Sequence, residues 1–360
     1  MPQFIKDLVD AISAPIPYTI LTTALLGVVI VFRRQVTHPV VFSLGSAAMV
    51  LFFVGAFPDP NFNQIVTKPD NVPIVILIAT IVFFTWLSLR RAVINDDRIK
   101  KGLPTLEGEA AKKKVFTWPD LVYSEFICML LFLAALMTWS LLIQAPIEEP
   151  ASQARTPNPS KAPWYFLGLQ ELLVYFDPWI AGVLLPSFIV VGLMAIPYVD
   201  TNPKGNGYYT FDERPFAITF FLVGFLLLWV SLVIMGTFLR GPNWSFFGPF
   251  EYWDHNKLEP MVSVNLSDYV WVKALGQPLP QNPLVREAPG FAFLGFWFVV
   301  LPTMLGKTVF KRMAQEMGAV RYQVFMHLFL WTALVPLKMI LRWTIDLKYL
   351  VGIPEWFLNV

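Results

Sequence analysis

Cysteine and charge are both scarce in this chain of 360 residues. A single cysteine, Cys128, excludes an internal disulfide and any metal site built from several thiolates. It lies in an apolar run, so a buried structural thiol is expected. Charged residues make up 14% of the chain, against about 25% in a soluble domain. The net charge of +2 offers nothing to a nucleic-acid backbone. The amino terminus, MPQFIKDLVDAISAPIP, lacks the charged-then-apolar layout of a signal peptide, and no lipidation motif is present. There is no internal repeat and no low-complexity tract.

What the chain has instead is apolar length. Apolar residues reach 56% and the mean hydropathy is +0.57. So little polar surface cannot cover the chain in water, which makes lipid its solvent. Apolar runs fall near 17–32, 39–57, 72–89, 120–143, 179–199, 215–239, 289–306 and 323–345. Most reach the ~17–25 residues with which a helix crosses ~30 Å of hydrocarbon; the seventh is the shortest. The runs are continuous in polarity, whereas β-barrel strands alternate. The expected fold is all-α, a polytopic transmembrane helical bundle of about eight spans.

The loops set an orientation. One side receives sixteen Lys and Arg, eight of them between Arg90 and Lys114. The other receives nine, spread over more loop length, and Lys338 and Arg342 fall within the eighth span. The richer side is cytoplasmic by the positive-inside rule, which puts both termini on the outer side. Two long outer loops, 144–178 and 240–288, are rich in Pro, Trp and Tyr. Long loops of this kind are functional or disordered, and interfacial aromatics favour a functional role over a plain aromatic belt.

The most specific stretch is 118–178. The fourth span opens with WPDLVY, with Trp118 as an interface anchor and Pro119 suited to a first helical turn. After the span comes TPNPSKAPWYFLGLQELLVYF, then Asp177-Pro178 as a cap and first-turn pair for the fifth span. Pro163 can start a short helix along the outer surface, in which Trp164 and Glu171 share a face two turns apart. Glu171 is then a carboxyl at the apolar boundary, suited to exchange protons, or else a plain surface carboxylate on an interfacial helix.

This layout resembles the carboxy-terminal half of cytochrome b and its split form, subunit IV of the cytochrome b6f complex. WPDLVY (118–123), NP (158–159), APWYF (162–166) and RGPNWSFFGPFEYW (240–253) occur in that family's order, on the sides the charge rule gives. The resemblance covers roughly 112–255, with three extra helices and a basic loop before it (1–111) and an outer loop with two further spans after it (256–360). It implies a membrane subunit of a quinol–cytochrome c (or similar acceptor) oxidoreductase in a bacterial-type inner, energy-transducing membrane. In that family the loop at APWYF lines the outer quinol-oxidation pocket. Pro163, Trp164, Tyr165 and Phe166 would then shape a quinol site, and Asp120 would match the aspartate near the inner quinone site. Asp120 also has a simpler role as a helix-start carboxylate favoured by the dipole.

One departure matters. Where the family has its proton-accepting glutamate, this chain has Pro163, preceded by Ala162. Either proton release is rerouted, with Glu171 and Tyr165 as the candidate catalytic groups, or the outer site has lost its chemistry.

Haem b needs paired histidines on facing helices. The three histidines, His38, His255 and His327, include no two on one helix. The resemblance therefore implies that haem b sits on a partner chain, a cytochrome b-type subunit accompanied by iron–sulfur and/or cytochrome c subunits and by membrane lipids. A single haem between His38 and His327 is the alternative to interfacial or hydrogen-bonded roles. Lys338 and Arg342 are expected either to snorkel towards headgroups or to meet an acidic partner or an anionic lipid. Two rival functions remain. A non-catalytic membrane anchor of a respiratory complex is supported by Pro163. A transporter or channel is disfavoured by spans nearly free of ionisable groups and by the lack of broken-helix pairs in related halves.

Overall fold

A computed structural model of the chain describes residues 1–144, 150–204, 207–260 and 262–360. Among them, seven helices are long and apolar enough to cross a membrane: α3 (Pro39–Ala56), α5 (Val72–Lys100), α6 (Thr117–Leu142), α8 (Ile180–Val199), α9 (Pro215–Leu239), α10 (Ala288–Lys307) and α11 (Lys311–Ile345). An eighth span is made if α1 (Gln3–Ser13) and α2 (Pro15–Val31), bent by 85°, count as one. Two shorter helices are α4 (Pro60–Thr67) and α7 (Trp164–Leu172). The only paired strands among the described residues are the two-residue β1 (Gly352–Ile353) and β2 (Leu358–Asn359). The all-α polytopic bundle read from the sequence is the observed fold.

Prolines open many of these helices, as expected where the first turn has no use for an N–H. Pro39 follows His38, whose Nδ1 accepts the Val40 N–H at 3.4 Å. Pro60 follows Asp59, whose Oδ1 accepts the N–H groups of Asn61 and Phe62. Wide π-helical turns at Ile180–Leu184, which opens α8, and at Phe296–Val300, inside α10, end just before Pro186 and Pro302. The missing proline N–H breaks the regular ladder there, and the Tyr322 hydroxyl donates to the Pro302 carbonyl at 2.9 Å. In α11, Gly318 at φ +75° separates the basic stub from the span proper.

The chain divides into two compact units. The first comprises Met1–Ser160, Lys204–Phe221 and Phe246–Trp253. One cluster in it joins Ala56, Phe62 and Phe250, with Met1, Val9, Phe52, Phe53 and Val66 packed around them. Phe42 of α3 stacks on Trp86 of α5 at 4.2 Å, and the Trp86 indole donates to the Thr37 carbonyl. α5 runs eleven residues past the apolar segment that ends at Leu89. Its extension is stabilised by buried polar contacts. Asn95 bonds the Tyr209 carbonyl, Glu107 and the Leu106 N–H, while Asp96 accepts Thr210 Oγ1 at 2.6 Å and the N–H groups of Phe211 and Asp212. Thus much of the basic loop expected at 90–119 is helix. No residue of α6 is buried within the chain, so Cys128 is exposed on it rather than buried as expected.

The second unit comprises Lys161–Pro203, Leu222–Ser245 and Asp254–Val360. Tyr322, Met326 and Leu330 of α11 pack against Trp297, Phe298, Leu301 and Leu305 of α10, and Phe188 of α8 stacks on Trp331. α7 crosses the 231–239 stretch of α9 where both helices carry glycine. A Cβ on Gly236 would fall 2.9 Å from the Leu167 carbonyl, and one on Gly168 would fall 3.2 Å from Val233. The division passes through the 112–255 segment, which contributes to both units.

Lys338 and Arg342 neither snorkel nor reach outside the chain. Lys338 is fully buried and donates to the Lys348 carbonyl, with the Phe176 ring 5.4 Å away. Arg342 Nη1 donates to the carbonyls of Val262 (2.7 Å) and Asp346 (2.9 Å). The chain beyond α11 returns to supply the Lys348 and Asp346 carbonyls to these cations, and Val262 adds another from the loop before α10. A sequence pattern that sees only the apolar span cannot anticipate that return.

Candidate functional site

The APWYF stretch opens α7, with Pro163 at the N-cap position. Helical periodicity gives this helix two faces. Leu167, Gly168, Glu171 and Leu172 are buried, whereas Tyr165 and Phe166 are about half exposed, at 48% and 50%. The rings of Trp164, Tyr165 and Phe166 form a chain: Trp164 meets Tyr165 edge-on at 5.7 Å, and Tyr165 lies 4.6 Å from Phe166. The helix is fixed at its entrance, where the Ala162 N–H donates to Gln170 Oε1 and Lys161 Nζ donates to the Thr237 carbonyl. It is fixed at its exit too, where Lys348 Nζ donates to the carbonyls of Leu173 (2.8 Å) and Val174 (3.2 Å). Burial and the nearby Arg342 charge hold the Lys348 ammonium below its usual range, with Asp177 opposing them.

Glu171 is fully buried, which rules out the surface-carboxylate role. Arg240, one residue past α9, grips it in a fork: Nη2 to Oε1 at 2.7 Å and Nε to Oε2 at 3.0 Å. The Trp244 indole N–H donates to Oε2 at 3.2 Å, and the Tyr175 hydroxyl lies 3.5 Å from Oε1. Arg240 also donates through Nη1 to the Trp244 carbonyl. Burial disfavours the Arg240 charge, but the adjoining Glu171 carboxylate outweighs it and holds the guanidinium above its ordinary value. Burial, then the Glu171 charge, raises the Tyr175 hydroxyl, so it stays protonated as a donor.

The turn that presents Trp244 is strained. Asn243 and Trp244 both adopt left-handed backbone, at φ +58° and +56°, a region that costs a non-glycine residue ~1–3 kcal/mol. The Asn243 amide offsets this by donating to the carbonyls of His255 and Lys257. The result is an indole N–H aimed at a buried carboxylate.

Five of the expected residues, Pro163, Trp164, Tyr165, Phe166 and Glu171, are thus carried by one helix and its cap, with Glu171 facing inward, Tyr165 and Phe166 outward and Trp164 half-buried. Asp120 is elsewhere, exposed in the first turn of α6 in the other unit. Arg240, Trp244 and Tyr175 were not singled out as site residues. The sequence signal for Arg240 and Trp244 was the RGPNW motif, which starts 69 residues after Glu171, and Tyr175 stands one helical turn after Glu171. His38 caps α3, and His327 Nδ1 bonds the Gln323 carbonyl at 2.8 Å. Among the described residues no three His, Cys, Asp or Glu side chains cluster to hold a metal.

Residues 150–249 match the family described as Cytochrome b(C-terminal)/b6/petD. The match spans α7, α8, α9 and the RGPNW turn, so Glu171 and Arg240 both lie within it. The chain therefore contains a cytochrome b C-terminal, subunit IV-like domain. No solved structure matches the chain.

Proposed function

We propose, from the presence of that domain, that the chain is a membrane subunit of a quinol–cytochrome c (or similar acceptor) oxidoreductase and that the outward face of α7 walls part of its outer quinol-oxidation pocket. The observation that carries this is the two-sidedness of α7: an aromatic face of Tyr165 and Phe166 left open beside Pro163, on a helix pinned from behind by the Glu171–Arg240 fork. A quinone head is a flat ring with polar edges. Aromatic and proline surfaces hold the ring, and a phenol such as Tyr165 can exchange a hydrogen bond with its oxygen. Haem b, carried by a cytochrome b-type partner, would take one electron, and an iron–sulfur or cytochrome c subunit the other. This chain's own residues bind and orient the quinol and ligate no haem.

Proton release cannot follow the family route, because Pro163 has no proton to exchange. Glu171 is buried and ion-paired with Arg240, so its contribution is to hold α7, and Tyr165 is the exposed group on the helix able to pass a proton. In the purified complex, Tyr165→Phe should lower quinol-oxidation turnover at least tenfold, and Phe166→Ala should raise KM for quinol with a smaller effect on kcat. Unchanged kinetics in both variants would remove the site from α7.

The same Pro163 and the same locked Glu171 favour a second reading, a non-catalytic membrane anchor that kept the fold and lost the pocket. It predicts that both variants leave turnover of the complex unaltered while the subunits still co-purify.

A further inference from the structure

Helix α1 is distinct from the spans. Its sequence, QFIKDLVDAIS, is amphipathic, and it meets α2 at 85°. Membrane spans tilt on average ~20° from the bilayer normal, so a helix nearly perpendicular to α2 lies close to the membrane plane.

Three sectors run along α1. One is fixed to its own unit. Met1 and Val9 join the Ala56–Phe62–Phe250 cluster, Lys6 pairs with Asp59, and Asp10 Oδ1 accepts the Phe250 N–H at 2.9 Å. Asp10 occupies the space left by Gly248, where a Cβ would fall 2.3 Å from its carboxylate oxygen. The second sector is polar and exposed: Gln3 Nε2 donates to Asp7 Oδ1 at 2.8 Å. The third is the apolar edge Phe4, Leu8 and Ile12, at fourfold spacing.

That edge does not stop at the bend. The same spacing continues through Ile16 and Ile20 of α2, and exposure runs 69%, 55%, 38%, 43% and 65% along the five side chains. It falls towards the corner from both ends. Side chains on the inside of a bend shade one another most near the corner, whereas those on the outside are most exposed there. The five therefore line the inner angle, continuous with the lipid-facing surface of a span.

We propose that α1 is an interfacial helix whose Phe4–Leu8–Ile12 edge is immersed in the lipid leaflet on the side where α2 begins. The occupant is bilayer lipid. An apolar edge under a helix parallel to the membrane meets acyl chains there, while Gln3 and Asp7 meet water and headgroups. The protein-facing latch holds the helix in that roll, so the edge cannot turn inward.

The test uses the full chain with its co-purifying subunits in lipid nanodiscs. With Cys128→Ser removing the native thiol, nitroxide labels are placed one at a time at positions 3, 4, 7, 8 and 12. Each label's accessibility to oxygen and to a water-soluble nickel chelate is then compared. Labels at 4, 8 and 12 should be several-fold more accessible to oxygen than to the chelate, and labels at 3 and 7 should show the reverse. Chelate access at 4, 8 and 12 would overturn the proposal, as would protection from both reagents, which would mean that protein covers the edge. A diazirine-bearing phospholipid applied to the unmodified protein gives an independent reading. It should label Phe4, Leu8 or Ile12 and spare Gln3 and Asp7; an amino-terminal peptide without label contradicts the assignment.

Discussion

At the scale of single residues the site depends on a buried charge pair. Glu171 and Arg240 each give up hydration, and the bidentate geometry with the Trp244 indole compensates them. Removing one partner strands the other. Glu171→Leu or Arg240→Met alone should lower the stability of the purified protein by about 3–5 kcal/mol, seen as a lower thermal midpoint. The double variant should recover much of the loss, because no charge is left unpaired. Equal loss in all three variants would mean that the pair is not the anchor it is taken for. Glu171 was legible in the sequence as an unusual carboxyl in an apolar stretch. Its inward aim was not, because nothing in helical spacing announces an arginine 69 residues away. Lys338 carries the same lesson: apolar periodicity placed it in a span, but its carbonyl partners come from a backbone return beyond the helix.

At the scale of elements, close helix crossings and polar latches set the geometry. Gly236 lets α9 approach the backbone of α7, and a Gly236→Ala Cβ would press on the Leu167 carbonyl. The strain should cost ~1–3 kcal/mol and displace the aromatic face, so quinol KM should rise along with the loss of thermal stability. In the other unit, Asp212 receives Lys100 Nζ and Arg33 Nη2, both at 2.7 Å. The Lys100 hydrogen bond, against the penalty of burial, holds its carboxyl below the usual aspartate range. A carboxyl lowered in the folded state stabilises above its unfolded pKa, and that contribution disappears as pH falls through the lowered folded value. Asp212→Asn should therefore lower the thermal midpoint at pH 7, by ~1 kcal/mol or less for so solvated a pair. The difference from wild type should shrink as pH drops below about 4, near the ordinary aspartate value. A difference independent of pH would mean that the carboxylate charge is not what matters. The spans themselves were legible from apolar length and initiating prolines. The extension of α5 was not, because it depends on buried polar contacts with distant backbone that composition does not encode.

At the scale of the whole molecule, a cytochrome b C-terminal domain is matched at residues 150–249 of the chain. The domain's family belongs to oxidoreductase complexes, and α6 is a full span with no residue buried among the described residues of the chain. The APWYF and RGPNW motifs, both within the matched residues, made the domain readable in sequence, whereas WPDLVY lies before them. Pro163 in the family's glutamate position made its activity the open question. The central claim is that the outward face of α7 touches quinol. Photolabelling the purified complex with an azido-quinone, followed by peptide mapping, tests it most directly. Label on Tyr165, Phe166 or their immediate neighbours, lost on competition with unlabelled quinol, is the expected result. Competable label confined to other segments, with 162–176 clean, would contradict it.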